Sequence, residues 1–413
     1  MTKKQFKVLD LFAGCGGFSH GLEMTGEFKI VAANEIWKPA QDTYALNHPE
    51  TILVRGDITE TTTKELIFEI FAEDSCDVII GGPPCQAYSN AGFRDPDDPR
   101  GKLFEDYVKI VEKLQPSVFV MENVKGILTM AHDKEELSGQ EAAQLNVLRN
   151  LEKERHELLL LRKKHKNNPE RFEFTDRDSV RLDECKGEIS SLKKKQSSVR
   201  EKVTSIICRR FESLGYKVSF QLLNAANYGV PQKRERVIFI GVREDVDINF
   251  PIPTHSPQKS PGLFEDKRWI TVREAIDDLS ELPEDHQFNH SFTKHSQEFV
   301  EKIRRTEIGK SVFGGFSDAF YRNCPDEPAR TVKENHGGVF VHYDQNRVMT
   351  PRELARLQSF PDTFAFSGSK SQVLVQIGNA VPPLLGRAVG HSISSMMREI
   401  TSLKKATKVS RSK

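Results

Sequence analysis

The sequence is poor in cysteine and has no long apolar run, and both shortages exclude classes of protein. Its 413 residues include six cysteines without a Cys-x-x-Cys pair, so neither a disulfide framework nor a zinc ribbon is predicted. Apolar runs such as 118–121 are far shorter than the roughly 20 residues of a membrane helix. The amino terminus also lacks the apolar core and cleavage site of a signal peptide. We therefore expect a water-soluble cytoplasmic protein without a membrane partner.

An excess of charge of one sign is also missing. Sixty Lys and Arg residues against 59 Asp and Glu residues give a net charge of +1. Such a balance provides no overall basic field that would by itself indicate a nucleic-acid partner. Any affinity for DNA must come from local groups. The length allows one large or two medium domains.

Short apolar runs that end in glycine or polar residues recur through the first 125 residues. They lie at 7–12, 30–33, 52–54, 77–80 and 118–121, with helix-like stretches between most of them. This pattern predicts an α/β fold with a doubly wound, mostly parallel, Rossmann-like sheet. In such sheets the ligand binds at the carboxyl ends of the strands, where the polar residues of this chain lie.

The rest of the chain departs from this rhythm in two places. Residues 131–200 carry 16 Lys and Arg, 14 Asp and Glu and a leucine stripe, which predicts an inserted charged helical hairpin, either a coiled coil or a solvated helical pair. Residues 250–371 are predicted to form a smaller, irregular target-recognition domain and hinge. Residues 1–130 and 201–249 would then form the two parts of a catalytic domain, and residues 372–413 would complete it. The chain would end in a basic, disordered tail from residue 404.

A glycine loop after the first strand indicates a cofactor of the adenosine type. Residues 12–17, Phe-Ala-Gly-Cys-Gly-Gly, lack the GxGxxG spacing of a dinucleotide fingerprint but still permit close approach to a ligand. Glu35, 19 residues beyond Gly16, could accept hydrogen bonds from ribose hydroxyls. Asp57 is placed to receive an adenine amino group. A tight turn without a ligand is the alternative interpretation of the loop alone.

A thiol, a carboxyl group and two arginines are predicted to converge beside that cofactor. Cys85 follows two prolines at a strand end, which fixes its direction toward the crevice. Glu122 ends the next strand, and Arg234 and Arg236 lie two residues apart, on one face of a later strand. The polar loop at 88–103 could close over the site. A buried structural cysteine is the alternative for Cys85.

With these residues in view, the sequence resembles the bacterial-type cytosine-5 DNA methyltransferases, which have the class I S-adenosylmethionine-dependent fold. Eight blocks occur in the order of that family. They lie at 12–17, 34–35, 56–58, 84–86 (Pro-Cys-Gln), 122–124 (Glu-Asn-Val), 232–236 (Gln-x-Arg-x-Arg), 350–358 and 378–381. The resemblance covers the chain outside 131–200 and about 250–330.

The resemblance implies a reaction and a set of site residues. The methyl group of S-adenosylmethionine would pass to carbon 5 of a flipped-out cytosine, with Cys85 as the nucleophile. Glu122 would act on ring nitrogen 3, and Arg236, with Arg234, would hold the base and brace the site. The cofactor pocket would be lined by Phe12, Gly14, Gly16, Gly17, Glu35, Ile36, Asp57, Ile58, Pro84, Leu103, Asn379 and Ala380.

Double-stranded DNA is the partner that the resemblance implies. The predicted DNA contacts are Gln86, Ser89, Arg304, Arg305 and Thr331. The histidines of the 250–345 region have no partner cysteines, so no metal is predicted. We expect a monomer. As the modification enzyme of a restriction-modification system, the protein would have a cognate restriction endonuclease as its functional partner. Without such an endonuclease it would be an orphan methylase.

Two other functions stay open on the sequence. A transfer-RNA cytosine-5 methyltransferase has the same scaffold, although its nucleophile loop usually reads Pro-Cys-Gln-Pro-Phe-Thr, where this chain has Pro-Cys-Gln-Ala-Tyr-Ser. A catalytically inactive DNA-binding regulator is the second alternative. The presence of Cys85, Glu122 and Arg236 argues against it, because a protein that only binds DNA has no need of a thiol there.

Overall fold

The structure is a computed structural model that describes residues 5–84, 99–133, 138–195, 200–257, 267–313, 319–334 and 340–411. The strands are β1 (Phe6–Leu11), β2 (Phe28–Glu35), β3 (Ile52–Arg55), β4 (Val78–Gly81), β5 (Val118–Val124), β6 (Ala131–Asp133), β7 (Arg200–Lys202), β8 (Lys217–Asn224), β9 (Glu235–Val242), β10 (His255–Ser256) and β11 (Lys267–Arg268). The helices are α1 (Gly17–Glu23), α2 (Lys38–Asn47), α3 (Thr61–Ile70), α4 (Pro99–Leu114), α5 (Gly139–Asn167), α6 (Asp176–Lys195), α7 (Val203–Glu212), α8 (Val272–Ile276), α9 (Gln297–Arg305), α10 (Pro351–Leu357), α11 (Lys370–Asn379) and α12 (Pro383–Arg411).

The main sheet has seven strands in the order β3-β2-β1-β4-β5-β9-β8. The first five are parallel to one another, whereas β9 runs antiparallel to both β5 and β8. The prediction of a doubly wound, mostly parallel sheet is therefore confirmed. The order reverses where β1 lies between β2 and β4, and such a switch point opens a crevice at the carboxyl ends of the strands.

Helices α1 and α12 pack on the apolar residues of this sheet. Strand residues such as Val8, Ile80 and Ile240 form one buried cluster with Leu22 of α1 and Val389 of α12. Each such side chain contributes roughly 1.5–3 kcal/mol by its burial. The predicted disordered tail from residue 404 is wrong, because α12 continues to Arg411. The last eleven residues of α12 contain neither glycine nor proline to end the helix.

A second apolar cluster forms the core of the 272–380 segment. Its buried members include Leu279, Phe340, Leu354 and Phe364. Short helices surround it. Helix α10, for example, begins with a capping box in which the side chain of Thr350 accepts from the third helical N–H and Glu353 bonds back.

Residues 126–209 belong to a separate compact unit dominated by α5 and α6. The two helices bury Leu148, Leu151, Cys185 and Ile189 between them, which confirms the predicted charged helical hairpin. Arg181 of α6 pairs with Glu154 of α5, with 2.7 Å between Nε and Oε1, and also with Glu184 and Glu188. Two short strands that the sequence did not indicate, β6 and β7, pair antiparallel at the ends of this segment. Three residues each are too few to show an alternating pattern.

Candidate active site

The glycine loop between β1 and α1 forms one wall of the crevice. Phe12 and Gly16 have left-handed φ values of 57° and 92°, a conformation that strains the non-glycine residue and suits the glycine. A Cβ on Gly17 would lie 2.4 Å from the carbonyl oxygen of Val381. The loop is thus packed closely against the segment that follows α11, whose Ala380 Cβ would lie 3.4 Å from the same Cβ.

The carboxylate of Glu35 holds this loop in place. It accepts three backbone N–H groups, from Gly14 at 2.8 Å, Ile36 at 2.9 Å and Trp37 at 2.7 Å. Burial raises the pKa of Glu35, and the three N–H donors partly offset that rise. Glu35 therefore connects the end of β2 to the glycine loop, a role that its spacing from Gly16 could not show.

The end of β3 is tied to the end of β2 by an amide. The Asn34 side chain donates to the carbonyls of Val54 at 3.0 Å and Gly56 at 3.1 Å. Asp57 follows directly, and its Oδ1 accepts the N–H of Thr59 at 2.9 Å. The sequence placed Asn34 in the 34–35 family block but did not predict this bond between strand ends.

The predicted cofactor residues differ in exposure. Ile36 is 62% exposed at the carboxyl end of β2, whereas Ile58 is 3% exposed. Pro84 and Asn379 are exposed, Leu103 is half-buried, and Ala380 is 9% exposed. Exposed Ile36 is an apolar surface that an adenine ring could cover. A Cβ on Gly14 would meet no atom within 4 Å, so this part of the loop is open.

These residues fit an adenosine-type cofactor. Two carboxylates, Glu35 and Asp57, and the exposed apolar side chain of Ile36 lie at the carboxyl ends of β2 and β3, where they could contact ribose hydroxyls and a base. The open glycine loop between β1 and α1 permits close backbone approach by the ligand.

A charge pair marks the next part of the crevice. Nε of Arg236 on β9 lies 2.8 Å from Oε1 of Glu122 on β5, and the two side chains are 12% and 14% exposed. Nη1 of Arg236 also donates to the carbonyl of Glu235 at 2.8 Å. The predicted meeting of carboxyl group and guanidinium is observed.

The segment that leads to Cys85 lies beside this pair. A Cβ on Gly82 would be 3.2 Å from Oε2 of Glu122, and the Asn123 side chain donates to the carbonyl of Pro83 at 3.1 Å. The predicted nucleophile Cys85, the predicted DNA contacts Gln86 and Ser89, and most of the predicted lid at 88–103 lie outside the described residues.

Arg234 is not placed as the sequence predicted. It precedes β9 instead of sharing a strand face with Arg236, and it is 1% exposed. Its Nη1 and Nη2 donate to the carbonyls of Val332 and Gly378, both at 2.8 Å. Burial, followed by the nearby Arg236, lowers the pKa of Arg234 well below its usual value. Its two terminal nitrogens therefore bind backbone instead of facing the crevice.

The remaining predicted DNA contacts lie on different elements. The hydroxyl of Thr331 donates to the carbonyl of Lys233 at 2.9 Å, next to Arg234. Arg304 and Arg305 lie near the end of α9 and both pair with Glu301. Thr331 thus contacts the residues that precede β9, whereas Arg304 and Arg305 of α9 do not.

A buried polar network under the glycine loop escaped sequence reasoning. Asp10 of β1 accepts a hydrogen bond from Ser19 at 2.6 Å, and the Ser19 hydroxyl lies 2.8 Å from that of Tyr44. Burial raises the pKa of Asp10 to about 7, although the Ser19 bond lowers it. The sequence signal for this network was Asp10 itself, an aspartate within an apolar strand. Nearby, Nδ1 of His48 lies 2.8 Å from Glu23.

The described residues contain neither a cluster suited to a metal ion nor a membrane-spanning helix. Within the described ranges, no group of three or more His, Cys, Asp or Glu side chains could hold a metal ion. None of the helices in the part of the chain that the structure describes is both long and apolar enough to cross a membrane.

Comparison with known proteins identifies the family. The sequence profile of C-5 cytosine-specific DNA methylases matches residues 6–146 and 190–395. The chain is 31% identical to the Type II methyltransferase M.DdeI of Desulfomicrobium norvegicum, covering 94% of this chain and 88% of that protein. It is also 31% identical to M.NgoPII of Neisseria gonorrhoeae, with 96% and 97% covered.

Solved structures agree on the fold. The crystal structure of a DNA modification methyltransferase encoded within an E. coli prophage superposes with a TM-score of 0.61 at 24% identity, covering 95% of this chain and all of that one. The S. pombe Dnmt2 methyltransferase gives 0.54 at 16% identity, with 96% and 99% covered. The family uses S-adenosylmethionine as its methyl donor. The chain belongs to the C-5 cytosine-specific DNA methylase family.

Proposed function

We propose that this protein methylates carbon 5 of a specific cytosine in double-stranded DNA through a covalent bond to Cys85. The observation that supports this most directly is the Glu122–Arg236 pair, 2.8 Å from Nε to Oε1. It lies beside the Gly82–Pro84 segment that leads into Cys85. A carboxyl group, a guanidinium and a thiol are the groups that cytosine activation requires.

The chemistry follows from the low nucleophilicity of carbon 5. The thiolate of Cys85 adds to carbon 6 while Glu122 stabilises or protonates ring nitrogen 3, which makes carbon 5 an enamine nucleophile. S-adenosylmethionine supplies the methyl group. Loss of the carbon 5 proton then re-forms the ring double bond and expels Cys85. A free thiol with a pKa of about 8.5 is only a few per cent thiolate near neutral pH, so positioning must favour the attack.

Arg236 positions Glu122, and Asn123 positions the segment that leads into Cys85. Arg236 binds one carboxylate oxygen and would contact the base oxygen, while the Asn123 amide fixes the backbone of Pro83. The target cytosine must leave the base stack to reach these groups, at a cost of a few kcal/mol. The cofactor would be held by the glycine loop, Glu35, Ile36, Asp57 and the 379–380 segment.

The domain roles follow the same reasoning. We assign target recognition to residues 250–371 and catalysis to 1–130, 201–249 and 372–413, with Thr331 as a DNA contact. The names of the relatives as Type II methyltransferases support a role as the modification enzyme of a restriction-modification system. Its partners would then be duplex DNA and, functionally, a cognate endonuclease, and the enzyme would act as a monomer in the bacterial cytoplasm, on the nucleoid.

Transfer of tritium from labelled S-adenosylmethionine tests the reaction. We expect label in duplex DNA and none in transfer RNA, and loss by orders of magnitude in Cys85→Ser, because a hydroxyl ionises far less than a thiol. Cys324→Ser, at a half-buried cysteine of the 250–371 segment, is the matched control. Labelling of transfer RNA alone, or DNA binding without transfer, would replace the proposal with one of its two alternatives.

A mechanism-based trap tests the covalent step. After methylation mapping has identified the target site, a duplex with 5-fluorocytosine at that position should form a denaturation-resistant adduct with the wild type, because fluorine cannot leave as a proton does. Cys85→Ser should form none. An active wild-type enzyme that gives no adduct would refute the covalent step while leaving the methyl transfer intact.

A further inference from the structure

Arg234 is a buried cation whose terminal nitrogens bind only backbone carbonyls. It is 1% exposed, and its Nη1 and Nη2 donate at 2.8 Å to Val332 and Gly378. Its Nε has no hydrogen-bond partner among the described residues. Burying a guanidinium costs free energy that bonds to carbonyls only partly offset, so the role of Arg234 depends on which segments its two carbonyls belong to.

The two carbonyls belong to segments with different proposed partners. Val332 follows Thr331, the proposed DNA contact, whose hydroxyl binds Lys233. Gly378 precedes Asn379, a proposed cofactor residue at the end of α11. Arg234 therefore connects one segment that would meet DNA with another that would meet S-adenosylmethionine.

Other contacts join the same two segments. Oε1 of Gln232 accepts the N–H of Val332 at 2.9 Å, and its Nε2 lies 3.0 Å from Oε1 of Gln358. Gln358 in turn donates to the carbonyl of Ile377 at 2.6 Å. A Cβ on Gly378 would lie 2.4 Å from the backbone nitrogen of Glu334, so the two backbones pack directly against each other. The two segments are thus joined by direct backbone packing and through Gln232 and Gln358.

We propose that Arg234 is a positioning residue that couples cofactor binding to DNA binding. Its planar fork fixes the 332–334 backbone relative to Gly378, so ordering of one segment by its ligand orders the other. The inference rests on the proposed function, since it needs both ligands. Coupling between binding sites is reciprocal, so DNA must tighten cofactor binding by the same factor by which the cofactor tightens DNA binding.

The chain offers a closely matched control. Arg352 is also 1% exposed, and it donates to the carbonyls of Phe288 at 2.9 Å, Pro361 at 3.2 Å and Phe364 at 2.9 Å. None of these residues is a proposed cofactor or DNA contact. Arg352→Lys therefore removes a buried carbonyl-binding fork from the same fold without touching the 332–378 connection.

Calorimetry on the full chain measures the coupling. S-adenosylhomocysteine, which cannot donate a methyl group, is titrated into wild type, Arg234→Lys and Arg352→Lys with and without a duplex that carries the mapped site. We expect the duplex to raise the affinity at least tenfold in the wild type and in Arg352→Lys. In Arg234→Lys the gain in S-adenosylhomocysteine affinity on adding the duplex should fall below threefold, because one ammonium cannot replace the two-pronged guanidinium. The affinity of this variant for S-adenosylhomocysteine without DNA should change less than its affinity with DNA.

Three results would overturn the inference. They are wild-type coupling in Arg234→Lys, an equal loss of coupling in Arg352→Lys, and the absence of coupling in the wild type. If Arg234→Lys does not fold, hydrogen exchange on the wild type decides. S-adenosylhomocysteine alone should slow exchange at 331–334 and DNA alone at 376–381, and a lack of either effect refutes the coupling. Failure of tritium transfer to DNA would instead refute the proposed function.

Discussion

The guanidinium Nε of Arg236 lies 2.8 Å from Oε1 of Glu122, across the antiparallel pair of β9 and β5. The second carboxylate oxygen, Oε2, lies on the side of Gly82, close to the segment that leads into Cys85. The arginine thus binds one oxygen of Glu122 and leaves the other directed toward the place where the cytosine ring is proposed to bind. Glu122 is oriented before any substrate arrives.

Glu122→Gln should lower the rate of methyl transfer by about 10²–10⁴-fold, the usual contribution of a general acid. The amide keeps the size of the side chain but can neither donate a carboxylic proton nor balance the charge of Arg236. Tritium incorporation under single-turnover conditions measures the rate. Glu235→Gln is the control, since Glu235 is adjacent in sequence to Arg236 but pairs with Lys125 at 2.8 Å instead. Equal rates in Glu122→Gln and the wild type would remove Glu122 from the chemistry.

Glu35→Ala should weaken S-adenosylmethionine binding by roughly 1.5–3 kcal/mol, the value of hydrogen bonds to a charged group. The substitution removes the proposed ribose contact and the three N–H bonds that hold the glycine loop. Calorimetry gives the affinity. Asp42→Asn, at an exposed ion pair with Lys38 on α2, is the control and should bind normally. Unchanged affinity in Glu35→Ala would move the ribose contact to another residue.

The sequence predicted where the site lies better than how its side chains are oriented. Glu35 and Glu122 were placed at strand ends because apolar runs stop there, and the sheet brings those ends together. Arg234 was misplaced because the strand begins one residue later, at Glu235, so the alternation that puts residues two apart on one face does not extend to it. The Gln232–Val332 bond joins residues 100 positions apart, and no local pattern reports such a contact.

Asp10 should make the stability of the protein depend on pH. Its pKa is about 7 in the folded chain, against an ordinary 3.8, because burial disfavours the carboxylate. A raised pKa means that protonation favours the folded state. This contribution is fully present below about pH 4 and is lost as the pH rises through about 7.

Asp10→Asn removes that titration while its amide oxygen can still accept from Ser19. Between pH 5 and pH 8 the free energy of unfolding of the wild type should fall by roughly 2–3 kcal/mol relative to Asp10→Asn. Urea unfolding of the cofactor-free protein, followed by circular dichroism at both pH values, gives the difference. Asp42→Asn, at a half-buried aspartate that pairs with Lys38 on α2, should follow the wild type. Parallel pH profiles for Asp10→Asn and the wild type would contradict the expectation.

The hairpin of α5 and α6 carries a group of exposed cations around the connection between the helices. Lys164 and Arg171 lie 5.4 Å and 5.7 Å from the ring centre of Phe172, and Lys163 and Lys166 are exposed nearby. Arg181, further along α6, forms ion pairs with carboxylates. Among the described residues, no ion pair involves Lys163, Lys164, Lys166 or Arg171. They are therefore available to a polyanion such as the DNA backbone.

Changing these four cations, at positions 163, 164, 166 and 171, to Gln should weaken DNA binding. It should also reduce the slope of the logarithm of the binding constant against the logarithm of the salt concentration by about 0.9 for each lost phosphate contact. Lys186→Gln, at a cation of α6 that pairs with Asp183, is the control and should keep the wild-type slope. Replacing residues 139–195 with a Gly-Ser linker should leave the protein folded and the methylated sequence unchanged, because base readout is assigned to 250–371. A four-site variant with the wild-type salt slope would make the hairpin a solvated spacer. A new methylation site, or an insoluble linker variant, would instead make it part of the recognition surface or of the core.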